Sequence, residues 1–306
     1  MLISIIIPAY NVEDYIEECI HSAFAQTHKP IEVICIDNNS TDNTWQKLKQ
    51  LQETYPSLLI EKELKPGAPA ARNKGLALSN GEWLQFLDAD DTLLPEKIEH
   101  QIKHITSGIS FIAAASFAQA GDIRHEIKVN INNSIWENLA KVNLGITSSN
   151  LFSRKYITEV NGWDECLRSS QEYDLMFRML KANPNIKYDT EPLTIINHVP
   201  GSITRNSANL IRNLHTRIEL LERIRTHVRS IQMDKNSLKE IDQALFDVIR
   251  ELTNYIPEDG CKAYKRYFNH KYKPIKSQAT THKYLILHQI FGYKNAHQII
   301  KLLKSR

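Results

Sequence analysis

The sequence predicts an α/β fold on a mixed, mainly parallel sheet flanked by helices, and three observations carry that prediction. The first hundred residues alternate short β-branched runs with amphipathic stretches, the pattern of βαβ units. The first two runs, 3–8 and 31–36, are nearly continuous in Ile and Val, as strands covered on both faces tend to be. Three carboxylates, Asp88, Asp90 and Asp91, stand where a fourth apolar run ends, and in open α/β sheets ligands bind beyond the carboxyl ends of strands.

The elements follow in order. Strands are expected at 3–8, 31–36, 58–62 and 83–87. Between the first two, Tyr15, Ile16, Cys19, Ile20, Ala23 and Phe24 make one apolar stripe on a helix over 13–26. Ser40 or Thr41 is placed to cap the next helix, in which Trp45, Leu48 and Leu51 face the sheet. A third helix is expected over 70–78. Pro95 suits the start of a fourth over 96–105, because its missing N–H costs nothing there. From 109 to 198 the pattern turns α+β, with strands at 109–117, 146–152 and 193–197 and helices at 154–160 and 172–181. Beyond Ser207 only helical periodicity remains, broken at Pro257-Glu258-Asp259-Gly260 and at Lys273-Pro274. The expected division is 1–206, with halves 1–105 and 106–206, and a helical extension over 207–306.

The 306 residues are 42% hydrophobic and 24% charged, which excludes a disordered chain. The four cysteines lack CxxC spacing, so neither a cysteine zinc site nor a disulfide framework is indicated, and a reducing, cytoplasmic setting fits. The N-terminal apolar run is cut by Pro8 and has no basic leader, unlike a signal peptide. No apolar run reaches membrane-spanning length. Net charge is only +3, yet residues 261–306 hold eleven Lys or Arg and no Asp or Glu. Ala296, Ile299, Ile300 and Leu303 form a narrow apolar stripe beside those cations. The expected role is docking at an anionic membrane surface, such as the inner face of the cell membrane, with packing onto the catalytic domain or a second copy as alternatives. No nucleic-acid motif accompanies the charge.

Asp88 and Asp90 lie two residues apart, which in extended chain puts both carboxylates on one side, where hard oxygens can share Mg²⁺ or Mn²⁺ with a diphosphate. Asp91 reads as a cap for the helix that follows.

Four segments in order resemble the family 2 glycosyltransferases of the GT-A fold, of the kind that build bacterial envelope, capsule and lipopolysaccharide glycans. They are Ile5-Ile6-Ile7-Pro8-Ala9-Tyr10-Asn11, Ile36-Asp37-Asn38-Asn39-Ser40-Thr41-Asp42, Gly67-Ala68-Pro69-Ala70-Ala71-Arg72-Asn73-Lys74-Gly75 and Gly81-Glu82-Trp83-Leu84-Gln85-Phe86-Leu87-Asp88-Ala89-Asp90-Asp91. The resemblance runs from residue 3 to about residue 205. It implies a Rossmann-like nucleotide crevice in which Pro8, Ala9, Tyr10, Asn11, Asp37 and Asn38 meet the nucleoside, Arg72 clamps, Asp88 serves ribose and metal, and Asp90 binds metal. Many uridine-nucleotide users in the family have a second Asp where this chain has Asn38, so a thymidine or guanosine donor stays open beside UDP.

Further on, Asn161-Gly162-Trp163-Asp164-Glu165 and Gln171-Glu172-Tyr173-Asp174 resemble the glycine-aromatic-acid turn and the helix that supplies the catalytic base. Glu172 falls on the base position, with Asp174 as fallback, and Trp163 walls the donor sugar. Residues 196–204 resemble a closing segment in which His198 completes the metal shell. The implied activity is inverting, metal-dependent transfer of a hexosyl or N-acetylhexosaminyl group from a nucleotide-sugar to a glycan or lipid-linked hydroxyl. The rivals are a sugar-phosphate nucleotidyltransferase and a non-catalytic nucleotide-sugar or glycan-binding protein. Against the former, Pro8-Ala9-Tyr10-Asn11 stands where a glycine-rich basic loop is usual.

Overall fold

The apolar N-terminal run forms β1 (Ile3–Ala9), in which Ile3, Ile5, Ile6 and Ile7 are fully buried, each worth roughly 1.5–3 kcal/mol of burial. The structure is a computed structural model describing residues 1–198, 207–268 and 272–304. The chain divides into two units, Met1–Asn133 with Val142–Ser202, and Ser134–Lys141 with Ile203–Arg306.

In the first unit β1 is followed by α1 (Ile16–Phe24), β2 (Ile31–Asp37), α2 (Thr44–Thr54), β3 (Leu58–Lys62), α3 (Ala68–Leu78) and β4 (Trp83–Phe86). Both early helices start later than expected. The backbone N–H groups of Asn11, Val12 and Glu13 donate to side chains of Ser40, Thr44 and Asp42, so residues 11–13 are held as a loop. Ser40 and Thr41 are tied to Asn11 in return, and Asp42 Oδ1 accepts the Thr44 N–H at 3.0 Å instead. Then come β5 (Thr92–Leu93), α4 (Lys97–Ile102), β6 (Phe111–Ala114), β7 (Ser116–Ala120) and β8 (Ile123–Ile127). Pro95 lies in the turn before α4. The single strand expected over 109–117 is cut at Ala115, whose N–H donates to the Asp189 carbonyl, and its two halves enter different sheets.

After α5 (Ile135–Ala140), which belongs to the second unit, the first unit continues with β9 (Leu151–Ser153), α6 (Arg154–Glu159), α7 (Gln171–Ala182), β10 (Ile186–Asp189) and β11 (Thr194–Asn197). Of the strand expected over 146–152 only the end pairs. Residues 146–150 close a turn in which the Ser149 and Asn150 N–H groups return to the Ile146 carbonyl.

The main sheet runs β10-β6-β9-β4-β1-β2-β3, and a second runs β5-β11-β7-β8. In the main sheet every pairing is parallel except the two made by β9. Parallel register sets Ala9 opposite Asp37 and Ile6 opposite Phe86. The carboxyl ends of β1, β2 and β4 therefore reach one edge together, with Tyr10, Asp37 and Asp88 on it. Helix α3 lies close over this sheet at Gly75, where a Cβ would stand 2.3 Å from Ile6 Cγ2. That approach sets Arg72, one turn earlier, above the strand ends.

The second unit is helical: α5, α8 (Ser207–Ser230), α9 (Lys235–Tyr255), α10 (Pro257–Tyr267) and α11 (His282–Lys304), the last broken at Gly292 (φ 72°). Fully buried Phe246 centres its core, ringed by Tyr264, Phe268, Tyr272, Tyr284, His288 and Tyr293. Pro257 does end α9, but as the first residue of α10. Gly260 lies inside α10, where a Cβ would collide with Thr253. The apolar stripe expected on the last helix also changes. Ala296 is fully buried, while Ile286, Ile290, Phe291, Leu302 and Leu303 are the exposed apolar side chains of α11. Among the described residues no helix is long and apolar enough to cross a membrane.

Candidate active site

At the end of β1, Ala9 is buried, Pro8 half-buried and Tyr10 exposed, its ring available to a planar base. Asn11 takes a left-handed φ of 50°, and its Oδ1 accepts the Thr41 N–H at 2.8 Å. Asn11 is thus a brace between two strand-end loops.

Asp37 is fully buried, and among the described residues no donor hydrogen-bonds either carboxylate oxygen; the Lys62 ammonium lies 3.9 Å away. A buried carboxylate left without donors is costly, and the Lys62 ammonium offsets part of that cost. Asn38, expected to meet the nucleoside, has its side chain bonded within the chain. Its amide donates to the Glu63 and Lys65 carbonyls and accepts from the Gly67 N–H at 2.7 Å, so it fastens the 63–67 loop to β2. Asn39, at φ 64°, bonds the same loop.

The acids after β4 converge by a turn rather than by extended alternation, since the Asp91 N–H donates to the Asp88 carbonyl. Burial and the neighbouring Asp88 carboxylate push Asp90 up to about 6. Two carboxylates whose mutual repulsion raises one of them, with the Asp88 side chain 37% exposed, are a fitting oxygen donor set for Mg²⁺ or Mn²⁺. Asp91 is not a helix cap. It is buried, accepts from Ser148 Oγ at 2.6 Å and from the Asn197 N–H at 3.1 Å, and is pushed up by burial and its two acidic neighbours. Asn197 also donates to the Asp90 carbonyl, so β11 and the 146–150 turn hold the acidic turn in shape. Ser148 and Asn197 carry no local signal of this role, because their partners lie 57 to 107 residues away.

Arg72 joins the two halves of the site. Its guanidinium donates to Asp88 Oδ1 at 2.6 Å and to Gln171 Oε1 at 3.0 Å, and lies 4.5 Å from the Trp163 ring centroid. Trp163 is buried and packs edge-on against Phe86. It is the platform under Arg72. Its turn is pinned by Asn73, which exchanges hydrogen bonds with the Trp163 backbone. Gln171, whose place beside Glu172 was the only hint of a role, starts α7.

Glu172 is therefore half-buried in the first turn of α7, next to the residue that shares a guanidinium with Asp88. Asp174 is corrected as a fallback base. It is 2% exposed and paired with Arg178 Nε at 2.8 Å, and Arg178 in turn donates to the Val160 and Gly162 carbonyls. Its charge braces the Trp163 turn from below.

His198 is exposed, its N–H bonded to the Gln119 carbonyl. The sequence expectation puts His198 in the metal shell with Asp88 and Asp90; among the described residues the only group of three such donors is His100, His104 and Asp189. Residues 199–204 of the expected closing segment lie outside the described residues.

The model of glycosyl transferase family 2 matches residues 4–160, half of the chain. The chain belongs to that family. This family 2 member is 36% identical over 124 residues to TuaG of Bacillus subtilis, a glycosyltransferase named for teichuronic acid biosynthesis, covering 39% of this chain and 49% of TuaG. It is 36% identical over 116 residues to Escherichia coli WfaP, a UDP-Glc:α-D-GlcNAc-diphosphoundecaprenol β-1,3-glucosyltransferase, covering 38% and 46%. The chain thus spans about half the length of these curated relatives. Among solved structures it resembles S. aureus TarS 1–349 in complex with UDP-GlcNAc, with TM-score 0.62 and 15% identity over 100% of this chain and 92% of that one. It also resembles the Pyrobaculum calidifontis mannosyltransferase PcManGT in complex with GDP-Man and Mn²⁺, with TM-score 0.58 and 16% identity over 99% and 88%. At such identities the likeness establishes the GT-A fold, with its central sheet, flanking helices and helical C-terminal part.

Proposed function

We propose that this family 2 member transfers a hexosyl or N-acetylhexosaminyl group, with inversion, from a nucleoside diphosphate to a hydroxyl of a glycan or lipid-linked acceptor. UDP is the favoured donor nucleotide, with dTDP and GDP as the other candidates. The observation that carries the reading is the Arg72 guanidinium bonded to Asp88 and Gln171 at once, which supports placing the Glu172 carboxylate across from the diphosphate site.

In this mechanism Tyr10 stacks on the base, and the buried Asp37 carboxylate accepts a donor of the nucleoside. Asp90 and Asp88 would hold Mn²⁺ or Mg²⁺, which would supply Lewis acidity against the charge growing on the departing diphosphate. Glu172 takes the acceptor hydroxyl proton as its oxygen bonds the anomeric carbon. The anomeric C–O bond to phosphate breaks in the same step, its electron pair leaving on the nucleoside diphosphate. One displacement from the opposite face gives inversion. Residues 1–206 form the catalytic domain, 1–105 for the nucleotide and 106–206 for the acceptor.

The basic helical extension, 207–306, docks the enzyme on the anionic cytoplasmic face of a membrane, where a lipid-linked acceptor lies. Supporting this are the exposed Ile286, Ile290, Phe291, Leu302 and Leu303 on a segment without a carboxylate. Co-sedimentation with phosphatidylglycerol vesicles, lost in an Ile290→Asp/Phe291→Asp variant, checks it.

The central test screens UDP-, dTDP- and GDP-sugars for Mn²⁺-dependent thermal stabilisation, then assays the stabilising donors for release of nucleoside diphosphate. Release of inorganic diphosphate from a nucleoside triphosphate and a sugar phosphate would favour a nucleotidyltransferase. Donor binding without turnover over any glycan acceptor would favour a binding protein.

A further inference from the structure

A second set of metal-ligating side chains lies away from the acidic turn. His100 is in α4, and His104 follows one turn later, its N–H still returning to the Gln101 carbonyl at 3.0 Å, so the two rings share one face and meet edge-to-face with centroids 5.3 Å apart. Opposite them stands Asp189, the last residue of the edge strand β10, 1% exposed. Its Oδ2 is 3.2 Å from His100 Nδ1, and its Oδ1 is 3.9 Å from His104 Nε2. One donor atom from each of the three lies within 4.8 Å of the others.

We propose that His100, His104 and Asp189 form a Zn²⁺ site that fastens α4 to β10, separate from the oxygen-only catalytic acids. Two imidazoles with one carboxylate suit a borderline cation such as Zn²⁺ better than Mg²⁺ or Mn²⁺. A hydrogen bond from His100 accounts for one carboxylate oxygen but leaves His104 beyond hydrogen-bond distance of the other. With bonds of about 2.0–2.2 Å, donors around a tetrahedral ion stand roughly 3.3 Å apart, so three donor atoms already within 4.8 Å of one another reach a common ion by side-chain rotation. The Glu191 N–H, 3.0 Å from Asp189 Oδ1, fixes the carboxylate in the way outer hydrogen bonds orient ligands. The histidine side chains are each about one-third exposed, which admits the ion and leaves its fourth position to water. Asp189 also influences the buried Lys97, whose ammonium bonds Gln85 of β4. The clamp thus ties the helix that follows the acidic turn to the far edge of the sheet.

The test uses tag-free, chelator-stripped full chain titrated with Co²⁺ and then Zn²⁺. The expected result is a visible d–d absorption that saturates at one equivalent, is quenched by Zn²⁺, and is at least about tenfold weaker in affinity in His104→Gln. Zn²⁺ at a large excess over its Kd raises Tm by about 5 °C in the parent. Asp90→Asn keeps both signals, which separates this site from the catalytic metal. His100→Gln is the second variant should His104→Gln lower the metal-free Tm. Absence of the Co²⁺ band, or Zn²⁺ binding at the parent's affinity in both histidine variants, overturns the proposal, as does loss of binding in Asp90→Asn.

Discussion

Arg72 Nη2 lies 2.6 Å from Asp88 Oδ1, an ion pair between α3 and the loop after β4 in which the arginine is almost wholly buried. Its other Nη meets Gln171, and Trp163 lies under the guanidinium plane. One side chain therefore sets the spacing between the acidic turn after β4 and the helix bearing Glu172.

Arg72→Lys tests that spacing. A lysine keeps the charge but, as a point donor, cannot hold Asp88 and Gln171 together. We expect kcat/KM to fall by about 100-fold, on the order of the cost of a misplaced reacting group, with a change in Tm of a few degrees. Unchanged kinetics would remove Arg72 from the site.

In the proposed mechanism Glu172 carries chemistry and Asp174 support. Glu172→Gln is expected to lower kcat by about 10²–10⁴ while leaving donor affinity near the parent's, since a general base acts in the transition state. Asp174→Asn instead removes the buried charge that pairs with half-buried Arg178, at a cost of about 3 kcal/mol in stability. Chemical denaturation and steady-state kinetics on the two variants distinguish the roles. A stable Asp174→Asn protein with no turnover would reverse them.

Asp90→Asn removes one carboxylate of the repelling pair. The expected outcome is loss of Mn²⁺-dependent donor stabilisation and of turnover, matched in the parent by chelator and restored there by added Mn²⁺. Parent-level activity of the variant in chelator would contradict the metal assignment.

Glu32 gives a pH test of the fold apart from the site. Its partial burial raises the carboxyl, but hydrogen bonds from Ser4, Asn80 and Gly81 outweigh it and hold the group below the usual carboxylate range. A depressed folded pKa means stability that is present above the unfolded value and lost as pH falls through the folded one. Glu32→Gln should therefore cost about 1 kcal/mol at pH 7, after solvent screening of a half-exposed group. That difference should vanish as pH drops below the folded-state pKa. A gap between parent and variant that persists in acid would show that the contact is not electrostatic.

Much of the site was legible where a role depends on neighbours in sequence. The Ile-rich runs, the acids after β4 and the acid at the head of α7 each announce themselves within a few residues. Asn38 and Asp37 stand side by side, yet one fastens a loop and the other is buried without a hydrogen-bond donor among the described residues, a difference set by where residues 63–67 pass. Asp174 is two residues from Glu172, but a helix turns it by about 200°, into Arg178 and the core. The expected strand over 109–117 failed for a related reason. Its apolar pattern is continuous, and only the capture of Ala115 by Asp189 directs its two halves into separate sheets.

By itself the sequence determined the parallel α/β order, the strand-end acids and the family, because βαβ periodicity and short motifs are local and survive without coordinates. Tertiary structure alone decided that Arg72 joins Asp88 to Gln171, that Asp91 is a buried brace, and that His100 and His104 face Asp189. Each of those outcomes depends on backbone paths that meet after long separations, and the energy of a buried charge is fixed by whichever partner the fold brings to it.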